Sequence, residues 1–143
     1  MEHIKRHALV NYSAEQMYNL VNDIERYAQF LPYCSKAAIT EQSEGYLSAT
    51  LEVAKSGITK SFSTRNQLFP FERIHMELLD GPFTYLKGDW IFTALNDQAC
   101  KIELNLTFEF SSKLTSMAFS GIFKKLVNKM VAAFTDRAEQ IYN

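Results

Sequence analysis

The sequence predicts an α+β fold in which a curved antiparallel sheet wraps around a long C-terminal helix. Between about residues 36 and 110, apolar and polar residues alternate with a period of two, and Gly or Pro interrupts the alternation at hairpin spacing. Helical periodicity is confined to residues 13–30 and to roughly the last 30 residues. This order of elements is typical of a sheet that closes over the last helix, and we expect one domain, residues 1–143.

The first elements are predicted to be an edge strand and one or two short helices. Residues 3–11 have a mixed, strand-like pattern, and Ser13 follows as a candidate N-cap. Gln16 stands three residues further on, which is the spacing of a capping box. A helix is therefore expected to begin at this point and to end before Pro32.

The predicted sheet has about six or seven strands, and its last strand has the clearest pattern. Residues 100–110 carry apolar side chains at even positions and polar ones at odd positions, which indicates one buried face and one solvated face. The predicted breaks between strands are Glu44-Gly45, Ser56-Gly57, Phe69-Pro70, Gly81-Pro82 and Asn96-Asp97.

The C-terminal segment predicts a long helix with a wide apolar face. Such a face requires a large partner surface, which the sheet provides. Its predicted members are Phe119, Ile122, Phe123, Leu126, Val127, Met130, Val131, Phe134 and Ile141.

Composition excludes several classes of protein. Hydrophobic residues make up 47% and charged residues 22% of the chain, which is an ordinary globular balance. A net charge of -1 argues against attraction of the whole molecule to a nucleic-acid backbone. The N-terminal residues resemble no signal peptide, and no apolar run is long enough to span a bilayer. We expect a cytoplasmic protein, and any contact with a membrane is expected to be peripheral, at the membrane surface.

Motifs that carry catalysis or bind metals are not found. The sequence contains neither GxxxxGK[ST] nor GxGxxG nor GxSxG. His3 and His7 lie four residues apart in a predicted strand, roughly 13 Å, which is too far for one metal ion. Cys34 has no neighbouring histidine in the sequence, and Cys34 and Cys100 form no CxxC pair. We therefore predict no catalytic residue and no metal site, and binding is favoured over catalysis.

Two local features point to a ligand, and each has a second interpretation. Gly88 interrupts an aromatic strand, where it shapes a cavity or only curves the sheet. Residues 30–34 form a strongly apolar loop, which is either the lip of a binding site or a plug packed under the sheet.

Four segments carry a resemblance to a known family. They are DIERYAQFLPYC (23–34), FSTRN (62–66), DGPFTYLKGDWIF (80–92) and MVAAFTDRAEQIY (130–142). Together they resemble the coenzyme Q-binding START-domain family, which belongs to the polyketide cyclase/dehydrase and lipid-transport superfamily. The resemblance extends from about residue 3 to residue 142.

This resemblance implies a helix-grip (START/Bet v 1-like) fold whose sheet and C-terminal helix enclose a hydrophobic tunnel. It implies non-enzymatic binding of ubiquinone or a similar isoprenoid lipid, with no further cofactor, in support of respiratory electron transport. The alternative is a toxin-like block of ribosomal subunit association through the large subunit, which is also described for the bacterial branch. A cyclase activity, suggested only by the superfamily name, is the least favoured function.

Candidate pocket or entrance residues follow from the matched segments and the helical face. They are Leu31, Pro32, Phe83, Leu86, Trp90, Phe123, Met130, Val131 and Phe134. Ordinary core packing is the competing interpretation of each aromatic residue. Arg65 or Asn66 is a candidate for the ligand's polar head group, provided that its side chain turns inward.

A local positive patch gives the alternative function its candidate residues. Lys113, Lys124, Lys125 and Lys129 occur in a stretch that contains no acidic residue. Such a patch suits contact with the large ribosomal subunit or with anionic lipid at a membrane surface. The competing interpretation is the solvent face of an amphipathic helix.

Overall fold

The structure is a computed structural model that describes residues 1–111 and 113–143, with side chains at all of these positions except 113–116. The order of strands and helices agrees with the predicted order. The elements are β1 (Glu2–Val10), α1 (Ala14–Asn22), a short 3-10 helix (Ile24–Gln29), β2 (Cys34–Ser43), β3 (Tyr46–Lys55), β4 (Ile58–Phe69), β5 (Arg73–Asp80), β6 (Phe83–Asn96), β7 (Ala99–Phe110) and α2 (Lys113–Tyr142).

The strands form one antiparallel sheet in the order β1-β7-β6-β5-β4-β3-β2. Strands β2 to β7 each pair with their neighbours in the chain, whereas β1 pairs with β7 and is an edge strand, as predicted. Three of the five predicted breaks lie between consecutive strands, and the other two, Phe69-Pro70 and Asn96-Asp97, begin at the last residue of β4 and of β6. Gly45 and Gly57 have positive φ angles of 85° and 82° in two of these turns, a conformation that glycine adopts without a steric penalty.

One face of the sheet packs against α2, and this face holds the core. On β3 the residues Leu47, Ala49, Leu51 and Val53 are buried, as their alternation predicted. Two polar contacts hold α2 over the edge strand. The Lys124 Nζ lies 2.5 Å from the Glu2 Oε1, and the Arg6 Nη2 donates to the Asn128 Oδ1 at 2.5 Å.

The predicted capping box at the start of α1 is confirmed. The Gln16 backbone N–H donates to the Ser13 Oγ at 3.1 Å, and the Ser13 N–H donates to the Gln16 Oε1 at 2.9 Å. These bonds satisfy two N–H groups that have no partner within the helix. The helix therefore begins at the residue that the local sequence indicates.

The prediction that Ile141 belongs to the apolar face of α2 was wrong, because Ile141 is 51% exposed. Successive side chains on a helix are rotated by about 100°, so only one of two neighbours faces α1. That neighbour is Tyr142, whose hydroxyl donates to the Gln16 carbonyl oxygen at 2.8 Å. Its ring also packs against Tyr12. Within the described part of the chain, neither helix combines the length and the apolar character needed to cross a bilayer.

Candidate functional site

A largely apolar cavity lies between the sheet and α2. The volume of the cavity is about 60 Å³, which is room for a few water molecules or a small ring. The sheet forms the floor, α2 forms the roof, and the 3-10 helix contributes to the wall. The lining residues are Ile24, Tyr27, Ala49, Leu51, Phe62, Thr64, Asn66, Met76, Leu86, Trp90, Leu104, Leu106, Phe123, Leu126, Val127 and Met130.

Two neighbouring inward positions on β4 make the cavity polar at one point. Asn66 is 6% exposed and Thr64 is 5% exposed, and the Thr64 hydroxyl donates to the Asn66 Oδ1 at 2.8 Å. Asn66 lies in the middle of the sheet, between Leu47 of β3 and Met76 of β5. The alternating strand geometry turns Arg65 to the opposite face, where its guanidinium carbon stacks 3.9 Å from the centre of the Tyr46 ring.

Tyr27 is the titratable residue of the cavity lining, and its hydroxyl already makes a hydrogen bond to the backbone. The hydroxyl donates to the Val21 carbonyl oxygen. Burial raises the pKa of Tyr27 well above its ordinary value, and the nearby Cys34 and Asp23 raise it further. The phenol is therefore neutral at physiological pH and acts as a structural donor.

Four of the nine predicted pocket residues line the cavity, namely Leu86, Trp90, Phe123 and Met130. The other five lie elsewhere. Phe83 packs into an aromatic cluster, with its ring centre 5.7 Å from that of Phe119 and 5.3 Å from that of Phe110. The ring of Phe134 is centred 5.3 Å from that of Trp90 but is not a lining group. Val131 is buried outside the cavity lining.

The apolar loop of residues 30–34 contains the remaining two predicted pocket residues, Leu31 and Pro32. This loop mostly packs against the core and does not line the cavity. Leu31 is 4% exposed and does not line the cavity. Pro32 and Phe30 line a shallow groove on the outside of α2 instead. Cys34 is buried, and this burial raises the pKa of its thiol to about 11. The thiol is therefore protonated near neutral pH, and a nucleophilic role is disfavoured.

Gly88 allows close packing between strands. A Cβ atom at this position would lie 2.5 Å from the Asn105 carbonyl oxygen and 2.6 Å from the Leu106 Cδ1. The space that a side chain of residue 88 would need is thus occupied by β7. Because Leu106 itself lines the cavity, the glycine shapes the cavity wall only indirectly.

The histidines with side-chain contacts lie on the outer side of the sheet. The His75 Nδ1 lies 2.9 Å from the Asp89 Oδ1, and the His3 Nδ1 lies 2.8 Å from the Thr107 Oγ1. Among the residues that the structure describes, no group of three or more His, Cys, Asp or Glu could hold a metal ion.

The predicted lysine patch is divided between two sides of α2. Lys124 pairs with Glu2 beside β1. Lys125 and Lys129 are exposed and lie one helical turn apart. The side chain of Lys113 lies outside the described residues.

Lys55 of β3 adds a positive charge on the side of α2 that carries Lys125 and Lys129. The Nζ atoms of Lys55 and Lys129 lie 4.8 and 5.7 Å from the centre of the Tyr33 ring. Partial desolvation raises the pKa of Tyr33, but the charges of and hydrogen bonds from the two lysines outweigh it and lower the pKa. We call Tyr33, Lys55, Lys125 and Lys129 the basic patch.

Comparison with known proteins identifies the family. The family described as polyketide cyclase/dehydrase and lipid transport matches residues 10–135, which is most of the chain. The chain belongs to this family. The family resemblance carried by the four sequence segments is thereby confirmed at the level of the superfamily.

Solved structures establish the fold class. The aromatase/cyclase ZhuI from Streptomyces sp. R1128 superposes with a TM-score of 0.85 at 18% identity, over 99% of this chain and 96% of that one. At this identity the likeness shows the fold alone. The predicted helix-grip (START/Bet v 1-like) fold is confirmed.

Curated relatives carry two different kinds of name. A Vibrio cholerae protein named ribosome association toxin RatA is 54% identical over 142 residues, which cover 99% of each chain. A Xenopus laevis protein named coenzyme Q-binding protein COQ10 homolog B, mitochondrial, is 29% identical over 138 residues, which cover 94% of this chain and 57% of that protein.

Proposed function

We propose that this protein binds an isoprenoid quinone such as ubiquinone, or a similar isoprenoid lipid, and does so without catalysing a reaction. The observation that carries this proposal is the apolar cavity between the sheet and α2, with Thr64 and Asn66 as a polar pair in its wall. An apolar cavity with a few oriented polar groups suits a hydrophobic ligand with a polar head. The name of the Xenopus laevis relative supports the same class of ligand.

The cavity lining favours binding over cyclase chemistry. Acid–base catalysis needs a titratable group within reach of the substrate. Tyr27 is the titratable group among the lining residues, and its hydroxyl is bonded to the backbone of Val21. No pair of acid and base is therefore present among the described residues of the lining.

The size of the cavity sets a condition on ligand entry. About 60 Å³ suffices for a small head group but not for an isoprenoid tail. Met76 and Met130 lie in the wall, and methionine side chains adapt their shape readily. We propose that these side chains move to admit the tail, whose burial contributes about 25 cal/mol per Å² of apolar surface.

Within this proposal, ligand contact is assigned to the candidates that line the cavity: Leu86, Trp90, Phe123 and Met130. Phe134 supports Trp90 from behind. We further propose that the protein acts in the cytoplasm or at the inner surface of the membrane, where it supports respiratory electron transport.

Trp90 provides a direct test because it is the chain's single tryptophan and lines the cavity. We expect a ubiquinone with one isoprenoid unit to quench its fluorescence in a saturable manner. Ala49→Leu places extra bulk in the cavity wall and should weaken binding at least about tenfold. Ala54→Leu, on the opposite face of β3, is the matched control and should bind normally. Unsaturable quenching, or equal binding by both variants, would contradict the proposal.

A second measurement asks whether a natural ligand is present. Mass spectrometry of an organic extract of the protein, purified from its own cells, should show an enriched quinone. The extract of the folded Ala49→Leu variant should contain much less. A native extract without any isoprenoid compound would count against a quinone as the natural ligand.

A role in ribosome association is a second candidate function, favoured by one specific observation. The Vibrio cholerae relative, which is aligned over almost its whole length, is named a ribosome association toxin. The basic patch offers positive charge for ribosomal RNA, because Lys125 is exposed and Lys55 and Lys129 flank the same tyrosine ring. We propose this patch as the contact surface if the protein binds the large ribosomal subunit.

Cosedimentation with purified large subunits tests this second function. The double variant Lys125→Glu/Lys129→Glu should lose cosedimentation and keep quinone binding. The variant Lys5→Glu/Lys87→Glu makes the same charge change on the outer side of the sheet and should cosediment normally. Equal loss in both variants would show that net charge, and not the basic patch, is responsible.

A further inference from the structure

We infer that Asn66 makes the cavity selective for ligands whose polar head carries a carbonyl group, which accepts a hydrogen bond from the Asn66 amide. This inference rests on the proposed binding function and adds to it a residue that determines specificity. Its basis is the orientation of one buried amide group.

Thr64 determines which atom of that amide is free. The Thr64 hydroxyl donates to the Asn66 Oδ1 at 2.8 Å, so the oxygen of the amide has a partner. The Asn66 Nδ2 donates no hydrogen bond to any described residue. It is also not one of the fully buried side-chain atoms that lack a partner, so part of its surface is accessible to water. Since Asn66 lines the cavity, the free N–H groups are accessible from inside it.

The surroundings of this donor give it a strong preference for an acceptor. Leu47 and Met76 flank Asn66 on the adjacent strands, and neither side chain accepts a strong hydrogen bond. A hydrocarbon ligand would displace water from the amide without replacing its hydrogen bonds, which is unfavourable in an apolar cavity. A carbonyl oxygen would replace one of them.

Two small probes of the same shape separate the hydrogen bond from the hydrophobic effect. The ketone 1-indanone carries a carbonyl, and indane is the corresponding hydrocarbon. Titration of the ¹⁵N-labelled protein gives two independent readouts by nuclear magnetic resonance. The indole N–H of Trp90 gives a single signal that reports occupancy, and the side-chain NH₂ pair of Asn66 reports the hydrogen bond.

We expect both probes to shift the Trp90 signal, and only 1-indanone to shift the Asn66 NH₂ signals downfield. Asn66→Leu, which keeps the size of the side chain, should change the ratio of the two dissociation constants about tenfold in favour of indane. Gln67→Leu, on the exposed face of the same strand, is the matched control and should leave the ratio unchanged.

Thr64→Val tests the positioning role of the hydroxyl. It should reduce the preference for 1-indanone while the Asn66 NH₂ signals remain visible. Unmoved Asn66 signals at saturating 1-indanone would overturn the inference, and this readout needs no variant. If neither probe shifts the Trp90 signal, the proposed binding function itself fails.

Discussion

The rings of Trp90 and Phe134 meet edge to face, with centroids 5.3 Å apart and an interplanar angle of 85°. Trp90 belongs to the cavity wall, and Phe134 approaches it from α2. The ring of Phe134 also contacts those of Tyr27 and Phe30, at centroid distances of 5.3 and 5.2 Å. One side chain thus joins the sheet, α2, the 3-10 helix and the loop that follows it.

Phe134→Ala should therefore be among the most destabilising single changes. Removing a fully buried phenylalanine costs about 3–5 kcal/mol, through lost contacts and the void that remains. Urea unfolding followed by circular dichroism measures the loss. Phe69→Ala removes a phenylalanine that is 41% exposed and should cost less. Similar losses for the two variants would contradict the central position of Phe134.

Gly88→Ala should destabilise the sheet by about 1–3 kcal/mol, because the added methyl group would overlap with the backbone and side chain of β7. Gly121→Ala is the matched control. A Cβ atom at Gly121 meets no other atom within 4 Å, and alanine favours helix by about 1 kcal/mol over glycine. We expect opposite shifts of the thermal midpoint, and a stabilised Gly88→Ala variant would contradict the close approach.

Ser13→Ala should cost about 1 kcal/mol through loss of the N-cap of α1. Chemical unfolding measures this change. Ser43→Ala, at the exposed end of β2, should have almost no effect. Amide hydrogen exchange provides an independent readout, since protection should fall in the first turn of α1 and not elsewhere. Unchanged protection there would argue against the capping box.

Stability should fall as the pH rises above about 9. Burial raises the pKa values of the Cys34 and Cys100 thiols from 9.0 to about 11. Below pH 9.0 the thiols are protonated in the folded and the unfolded protein alike. Between pH 9.0 and about 11 only the thiols of the unfolded protein lose their protons, and this difference favours unfolding. Urea midpoints at pH 8 and pH 10.5 measure the effect. The Cys34→Ala/Cys100→Ala variant should lose less stability over this interval, and equal losses would exclude the thiols as the cause.

Local patterns were sufficient for most of the fold. The capping box at Ser13, the five turns and the alternation along β7 each depend on residues close together in the sequence, and each was predicted correctly. The assignment of Ile141 failed because a broad helical periodicity does not say which neighbour faces α1 at the end of a helix. Tertiary contact of Tyr142 with α1 decided that point.

The composition of the site could be predicted only in part. The matched segments and the helical face made both Trp90 and Phe134 candidates, but they could not separate Trp90, which lies in the cavity wall, from Phe134, which packs behind it. Lys55 of the basic patch was missed, since it comes from β3 and meets Tyr33 only in the folded chain.

By itself, the sequence determined the order of the elements, the buried face of β7 and the family to which the chain belongs. Only the tertiary structure decided where a gap remains between the sheet and α2, and that Asn66 faces it while Arg65 does not. The physical reason is that periodicity reports the direction of a side chain from its own strand or helix. The width of a cavity depends on how two such layers, distant in sequence, fit together.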